Sequence, residues 1–212
     1  MTFEKAMVIL FTKVAQTVIA ERFTHTFFDN DGNRVRKVFA YLFSVFIAIF
    51  VNLFFYKPIF NFLSIFLGLS AIALSYNGTI KRKCIFVFYI LAVSCLIDLV
   101  VSAFLIKPFG YDGYSAFVSI FALLLLHAAQ LITERFFGND LGIELNNRYW
   151  LFIIASLLVC IITSIVIFMD KTVSSFSLSL VCGAFLLVNI IISYLMDDLV
   201  TVSYTHLRAH ET

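Results

Sequence analysis

The chain has 212 residues, 62% of them hydrophobic and 13% charged, with a formal net charge of +2 and a mean hydropathy of +1.01. Soluble domains hold about 45–50% apolar and about 25% charged residues, so a water-soluble globule is excluded, and the near-neutral balance gives no nucleic-acid signal. The 26 phenylalanines set against 2 prolines and 8 glycines describe long apolar helices, so the expected fold is an all-α polytopic membrane bundle.

The first candidate segment, about residues 6–28, carries Lys13, Gln16, Thr17, Glu21 and Arg22. On a helix, positions 13, 17 and 21 share a face with 16, 20 and 24, which sets a polar stripe against an apolar one. Such a helix either spans within a bundle or lies along the interface, and spanning is the expectation here. It is not a cleavable signal peptide, because Lys13 and Gln16 interrupt the apolar run and no small-residue cleavage site follows.

A spanning helix needs about 20 mostly apolar residues. Six clear windows follow, at about 38–56, 59–76, 84–106, 114–133, 149–169 and 176–196, making seven helices with the first. Lys and Arg mark cytoplasmic loops. Arg34, Arg36 and Lys37 follow the first segment; Lys81, Arg82 and Lys83 follow the third; Arg135 and Arg148 follow the fifth. The intervening loops hold one cation each, Lys57, Lys107 and Lys171. The alternation puts the N-terminus outside, if the first segment spans, and the chain after Met196 in the cytoplasm.

Asp98 is the acid deep in a clear span. An Asp at a helix centre costs about 2.5–3.5 kcal/mol to insert, while each Leu, Ile, Phe or Val returns about 0.3–0.6. Residues 84–106 hold fifteen of these, so the helix inserts with its acid. Intramembrane acids face a bundle interior and mark ligand, ion or relay sites; a protonated or water-exposed acid near the interface is the alternative. His127, Gln130 and Glu134 share a face of the fifth helix and suit interhelical hydrogen bonding, a signalling relay or a metal site. Asn52, Asn61 and Asn189 suit the same bonding, and Asn52 is also a ligand or relay candidate. Cys84, Cys95, Cys160 and Cys182 lie in or beside apolar runs, without zinc-ligand spacing, and read as packing residues. No catalytic signature occurs: no phosphate loop, nucleophile elbow or zinc-protease motif.

From position 202 the chain reads VSYTHLRAHET, which breaks the apolar register and resembles the translation of a transposase-type sequencing adaptor. On that reading residues 202–212 carry no fold, and the natural sequence runs to about Thr201 and continues into a cytoplasmic domain.

The stretch Asn61-Phe-Leu-Ser-Ile-Phe-Leu-Gly-Leu, leading to Ser75-Tyr76-Asn77-Gly78-Thr79-Ile80-Lys81-Arg82-Lys83 and then an apolar helix with Asp98, resembles the N-terminal sensor region of GHKL-type receptor histidine kinases, many of which respond to secreted peptides. The resemblance implies a homodimeric input domain that reads an extracellular signal, with ATP and magnesium bound only by a cytoplasmic kinase domain acting on a response regulator. No metal or catalytic residue is implied within this chain. Asn77-Gly78 supplies the φ > 0 positions that end a helix, and the cations after it suit an anionic inner leaflet. The competing reading is a small multi-pass transporter or permease subunit.

Overall fold

In a computed structural model the described residues are 3–28, 33–55, 58–111, 113, 115–137 and twelve isolated positions between 154 and 184. The expected helices at 149–169 and 176–196, Asn189 and the 202–212 tail lie wholly or mostly outside them. Among the described residues every regular element is a helix.

Helix α1 is Phe3–Phe27, α2 is Arg34–Phe54 and α3 is Pro58–Ser75. Helix α4, Ile80–Val101, runs on through a π-helical turn at Ser102–Ile106 into a short α5, Lys107–Phe109, and α6 is Ala116–Phe137. Three of these stretches, Arg34–Phe54, Ile80–Phe109 and Ala116–Arg135, are long and apolar enough to cross a membrane, while Ile59–Ser75 is apolar but shorter.

The ends are set by local chemistry. The Asn33 side chain accepts from the Val35 amide at 3.0 Å and starts α2; the Thr79 hydroxyl accepts from the Arg82 amide at 3.4 Å and starts α4. Two expected boundaries move as a result. Arg34, Arg36 and Lys37, and likewise Lys81, Arg82 and Lys83, lie in the first turns of α2 and α4 rather than in loops. Cations there oppose the helix dipole by about 0.3–1 kcal/mol each, which the cap bonds and the apolar helix bodies offset. Gly78 has φ 145° and Gly110 φ 67°, conformations that favour glycine, and they break the chain between α3 and α4 and after α5.

Helices α2 and α3 form a hairpin. On α2, Ala40, Ser44, Ala48 and Asn52 recur every four residues and face Ser64 and Gly68 of α3, where backbones approach closely in the small-residue manner of membrane helices. A β-carbon at Gly68 would lie 3.1 Å from Ser44 Cβ and 3.3 Å from Ser44 Cα. The opposite face of α2 carries Phe39, Phe43, Phe46, Phe50 and Phe54, all exposed, with the Phe46–Phe50 and Phe50–Phe54 rings 6.1 and 4.8 Å apart.

Helix α1 packs most closely on α6, lies along α2 as well, and reaches the α3 side of the hairpin through side-chain hydrogen bonds. Lys13 bonds α3 at Asn61; eleven residues on, Thr24 reaches Tyr41 of α2 and Tyr76, the residue after α3. Contacts at two levels along one axis fix α1 parallel to α3 and antiparallel to α2. A helix lying across the ends of the others makes contacts at one level only. The polar stripe therefore turns inward: Lys13, Ala20 and Thr24 are buried, while Glu21 and Arg22 at the end of the helix stay exposed.

One end of the bundle gathers the basic residues. The Arg36 guanidinium donates to the Leu74 carbonyl, and the Lys37 ammonium sits 4.2 Å above the Tyr76 ring. Helix α4 starts five residues after Ser75, and Tyr89 and Thr133, 2.8 Å apart, bring the Arg135 end of α6 to the same side. Packing there is aromatic. Phe28 stacks on Tyr76 at 5.3 Å, and Phe27 and Phe28 meet Phe86 at 5.6 and 5.2 Å.

Candidate functional site

Lys13 is the centre of the most unusual chemistry in the bundle. It sits midway along α1, is 8% exposed, and lies among apolar side chains where a charge needs partners. Its ammonium group donates to Gln16 Oε1 at 3.2 Å and to Asn61 Oδ1 at 3.3 Å. Asn61 Oδ1 also accepts from Asn52 Nδ2 at 2.9 Å, and Asn52 Nδ2 donates to the Ala48 carbonyl at 2.8 Å. A continuous polar ladder thus crosses from α1 to α3 to α2.

The fourth helix joins through charge. Asp98 interacts electrostatically with Lys13 from an accessible position on α4. Ser94, one turn earlier on the same face, lines a cavity of about 60 Å³ together with Lys13, Gln16, Thr17, Ser44 and Ser64, its apolar wall including Phe23, Ile90 and Leu126. The four lining hydroxyls come one each from α1, α2, α3 and α4, and the one amide from α1, so the site exists only when these helices are assembled.

Of the residues expected from sequence, Asp98, Asn52 and Asn61 come together here. Lys13, which sets the site, was expected only as part of a stripe. Its signal was depth: counted from the loops, Asn52, Asn61 and Asp98 all fall near the same end of their helices, and α1 then has to bring position 13 to that level.

His127, Gln130 and Glu134 form a separate feature on α6. Gln130 is fully buried, its Nε2 donates to Glu134 Oε2 at 2.6 Å, and its Oε1 has no protein partner. His127, half-buried on the same helix, has no hydrogen bond shown to either. Near the basic end, the hydroxyls of Thr24, Tyr41 and Tyr76 lie 3.0–3.3 Å from one another, and Thr24 also meets the Glu21 carbonyl at 2.5 Å. Three hydroxyl protons suffice for that carbonyl and for two sides of the triangle. Cys84 and Cys95 form no disulfide. Among the described residues no cluster of metal-ligating side chains occurs.

No family model, curated protein or solved structure matches the chain.

Proposed function

We propose that the chain is a seven-span bundle of a bacterial plasma membrane that serves as the sensory input domain of a two-component histidine kinase. It reads an extracellular signal, a peptide in the family it resembles, and passes it to a cytoplasmic kinase domain, which binds ATP and magnesium and acts on a response regulator. The observation that carries this reading is the Lys13 node. One ammonium group is bonded to α3, through Asn61 to Asn52 of α2, and interacts with Asp98 of α4. A ligand that changes the partners of that group biases the relative positions of four helices at once, and a sensor needs such a displacement.

Sidedness draws support from the gathering of Arg34, Arg36, Lys37, Lys81, Arg82, Lys83 and Arg135 at one end, the arrangement that faces the cytoplasm by the positive-inside rule. The exposed phenylalanine wall of α2 suits lipid or the second copy of a homodimer. Recovery of the gene at its genomic locus tests the reading. A frame that passes from the last apolar segment into a GHKL ATP-binding domain supports it; a full-length gene without one refutes it.

A second reading, a small transporter or permease subunit, draws on the cavity and on Asp98 beside it, since intramembrane acids mark ion and proton paths. Substrate flux in vesicles that vanishes in Asp98→Asn would favour it over the sensor.

A further inference from the structure

We infer that the cavity beside Lys13 binds one small monovalent anion, of halide to carboxylate size, which completes the coordination of the ammonium group. The importance of the site rests on the proposed sensing role; the binding stands on geometry alone.

An ammonium group has three N–H donors and no acceptor. Two donors go to Gln16 Oε1 and Asn61 Oδ1, which leaves one. Because lysine only donates, both amides must turn their oxygens toward it, and the NH₂ group of Gln16, a cavity-lining residue, points elsewhere. Ser44 and Ser94 add hydroxyls from α2 and α4, while Thr17 spends its proton on the Lys13 carbonyl at 2.9 Å. Ser64 likewise spends its proton on the Asn61 carbonyl at 2.7 Å, so the donors that remain are the third Lys13 N–H and the hydroxyls of Ser44 and Ser94.

Charge points the same way. Amide oxygens satisfy hydrogen bonds but do not neutralise a cation, and an uncompensated charge away from water is costly. Among the described residues no carboxylate makes a direct ion pair with Lys13; Asp98 acts at longer range and from an accessible surface. An anion in the cavity meets the ammonium group directly. A cation is repelled by Lys13, and an apolar occupant leaves the donors unpaired. Size sets the class, because a single water needs about 10–15 Å³ and the cavity offers about 60 Å³. That holds a halide or a small carboxylate with water beside it.

The test uses the full chain in nanodiscs and measures the thermal midpoint in sodium chloride, acetate and gluconate at equal ionic strength. Saturable stabilisation is expected in chloride or acetate, rising about 3–6 °C per tenfold increase above half-saturation, with gluconate inert because of its size. The chloride and acetate arms separate a halide site from a carboxylate site. Lys13→Met is expected to abolish the dependence. Gln16→Glu, of nearly the same volume, places a carboxylate against the ammonium group and is expected to abolish it too, which keeps the test decisive where Lys13→Met does not fold. Equal midpoints in all three salts, or anion dependence retained in Gln16→Glu, overturn the inference. A gene lacking a kinase domain would leave this result untouched, and anion-insensitive midpoints would leave the gene's organisation untouched.

Discussion

Asn61→Leu is the most informative single change, because one carbonyl oxygen holds two partners, Lys13 at 3.3 Å and Asn52 at 2.9 Å. Removing it leaves a buried ammonium group with Gln16 alone and a buried amide with only the Ala48 carbonyl. In water-soluble proteins a hydrogen bond to a charged group contributes about 1.5–3 kcal/mol. Between membrane helices double-mutant cycles average about 0.6 and reach about 1.7 kcal/mol. The long 3.3 Å bond argues for the lower range and its charge for the higher, so the Lys13–Asn61 coupling is expected at about 1–2 kcal/mol. Lys13→Met, Asn61→Leu and the double variant, unfolded reversibly in mixed micelles, measure it. The double variant should be less destabilised than the sum of the singles, since Lys13→Met removes the group that Asn61→Leu strands. Additivity to within about 0.3–0.5 kcal/mol would refute the view that Asn61 anchors the lysine.

Gly68→Leu should cost about 1–3 kcal/mol by overpacking, read as a lowered thermal midpoint, because the new side chain has to displace the Ser44 backbone. Tyr76→Phe removes only a hydroxyl from the Thr24–Tyr41–Tyr76 triangle and should cost about 0.5–1.5 kcal/mol; Tyr76→Leu also loses the Phe28 stack and the Lys37 contact and should cost more, and a reversed order of the two midpoints would contradict that assignment. Gln130→Met should be neutral or stabilising in the same assay, because it removes a buried carbonyl that no protein group satisfies. Reporter fusions at Lys81 and Lys107 should report opposite sides of the membrane, with Lys81 cytoplasmic; a cytoplasmic signal at Lys107 would overturn the orientation.

Helix type was legible because apolar runs of membrane length leave few alternatives; α2 and α4 start four residues earlier than expected because Asn33 and Thr79 cap them, and α6 starts two residues later, where the Ser115 hydroxyl accepts from the Val118 amide at 3.3 Å. The polar stripe on α1 was visible from spacing, but whether it faced water or protein depended on partners 17 to 52 residues away. Asp98 and Asn52 were legible as polar residues in apolar runs. Lys13 was not singled out, because a lysine on an amphipathic helix has the same sequence signature at an interface as in a core, and only the shared depth of three other helices distinguishes them. The His127, Gln130, Glu134 row was half legible: helical spacing put the three on one face, and the structure adds a Gln130–Glu134 bond within the helix, whereas spacing carries no information on which way an imidazole ring turns.

The ladder across Lys13 also imposes an order on biosynthesis. Its acceptor on α3 lies 48 residues further along the chain, and at about 5–20 residues per second a ribosome takes roughly 2–10 s to supply it. On the proposed spanning topology, until then α1 carries a lysine whose insertion costs about 2.5–3.5 kcal/mol, with only Gln16 of its own helix as a partner, while α2 and α3 can insert on their own apolar faces. The earlier-made helix is therefore the later one to settle. On that topology it waits at the interface or in the insertion machinery and enters the bilayer against a hairpin already in place.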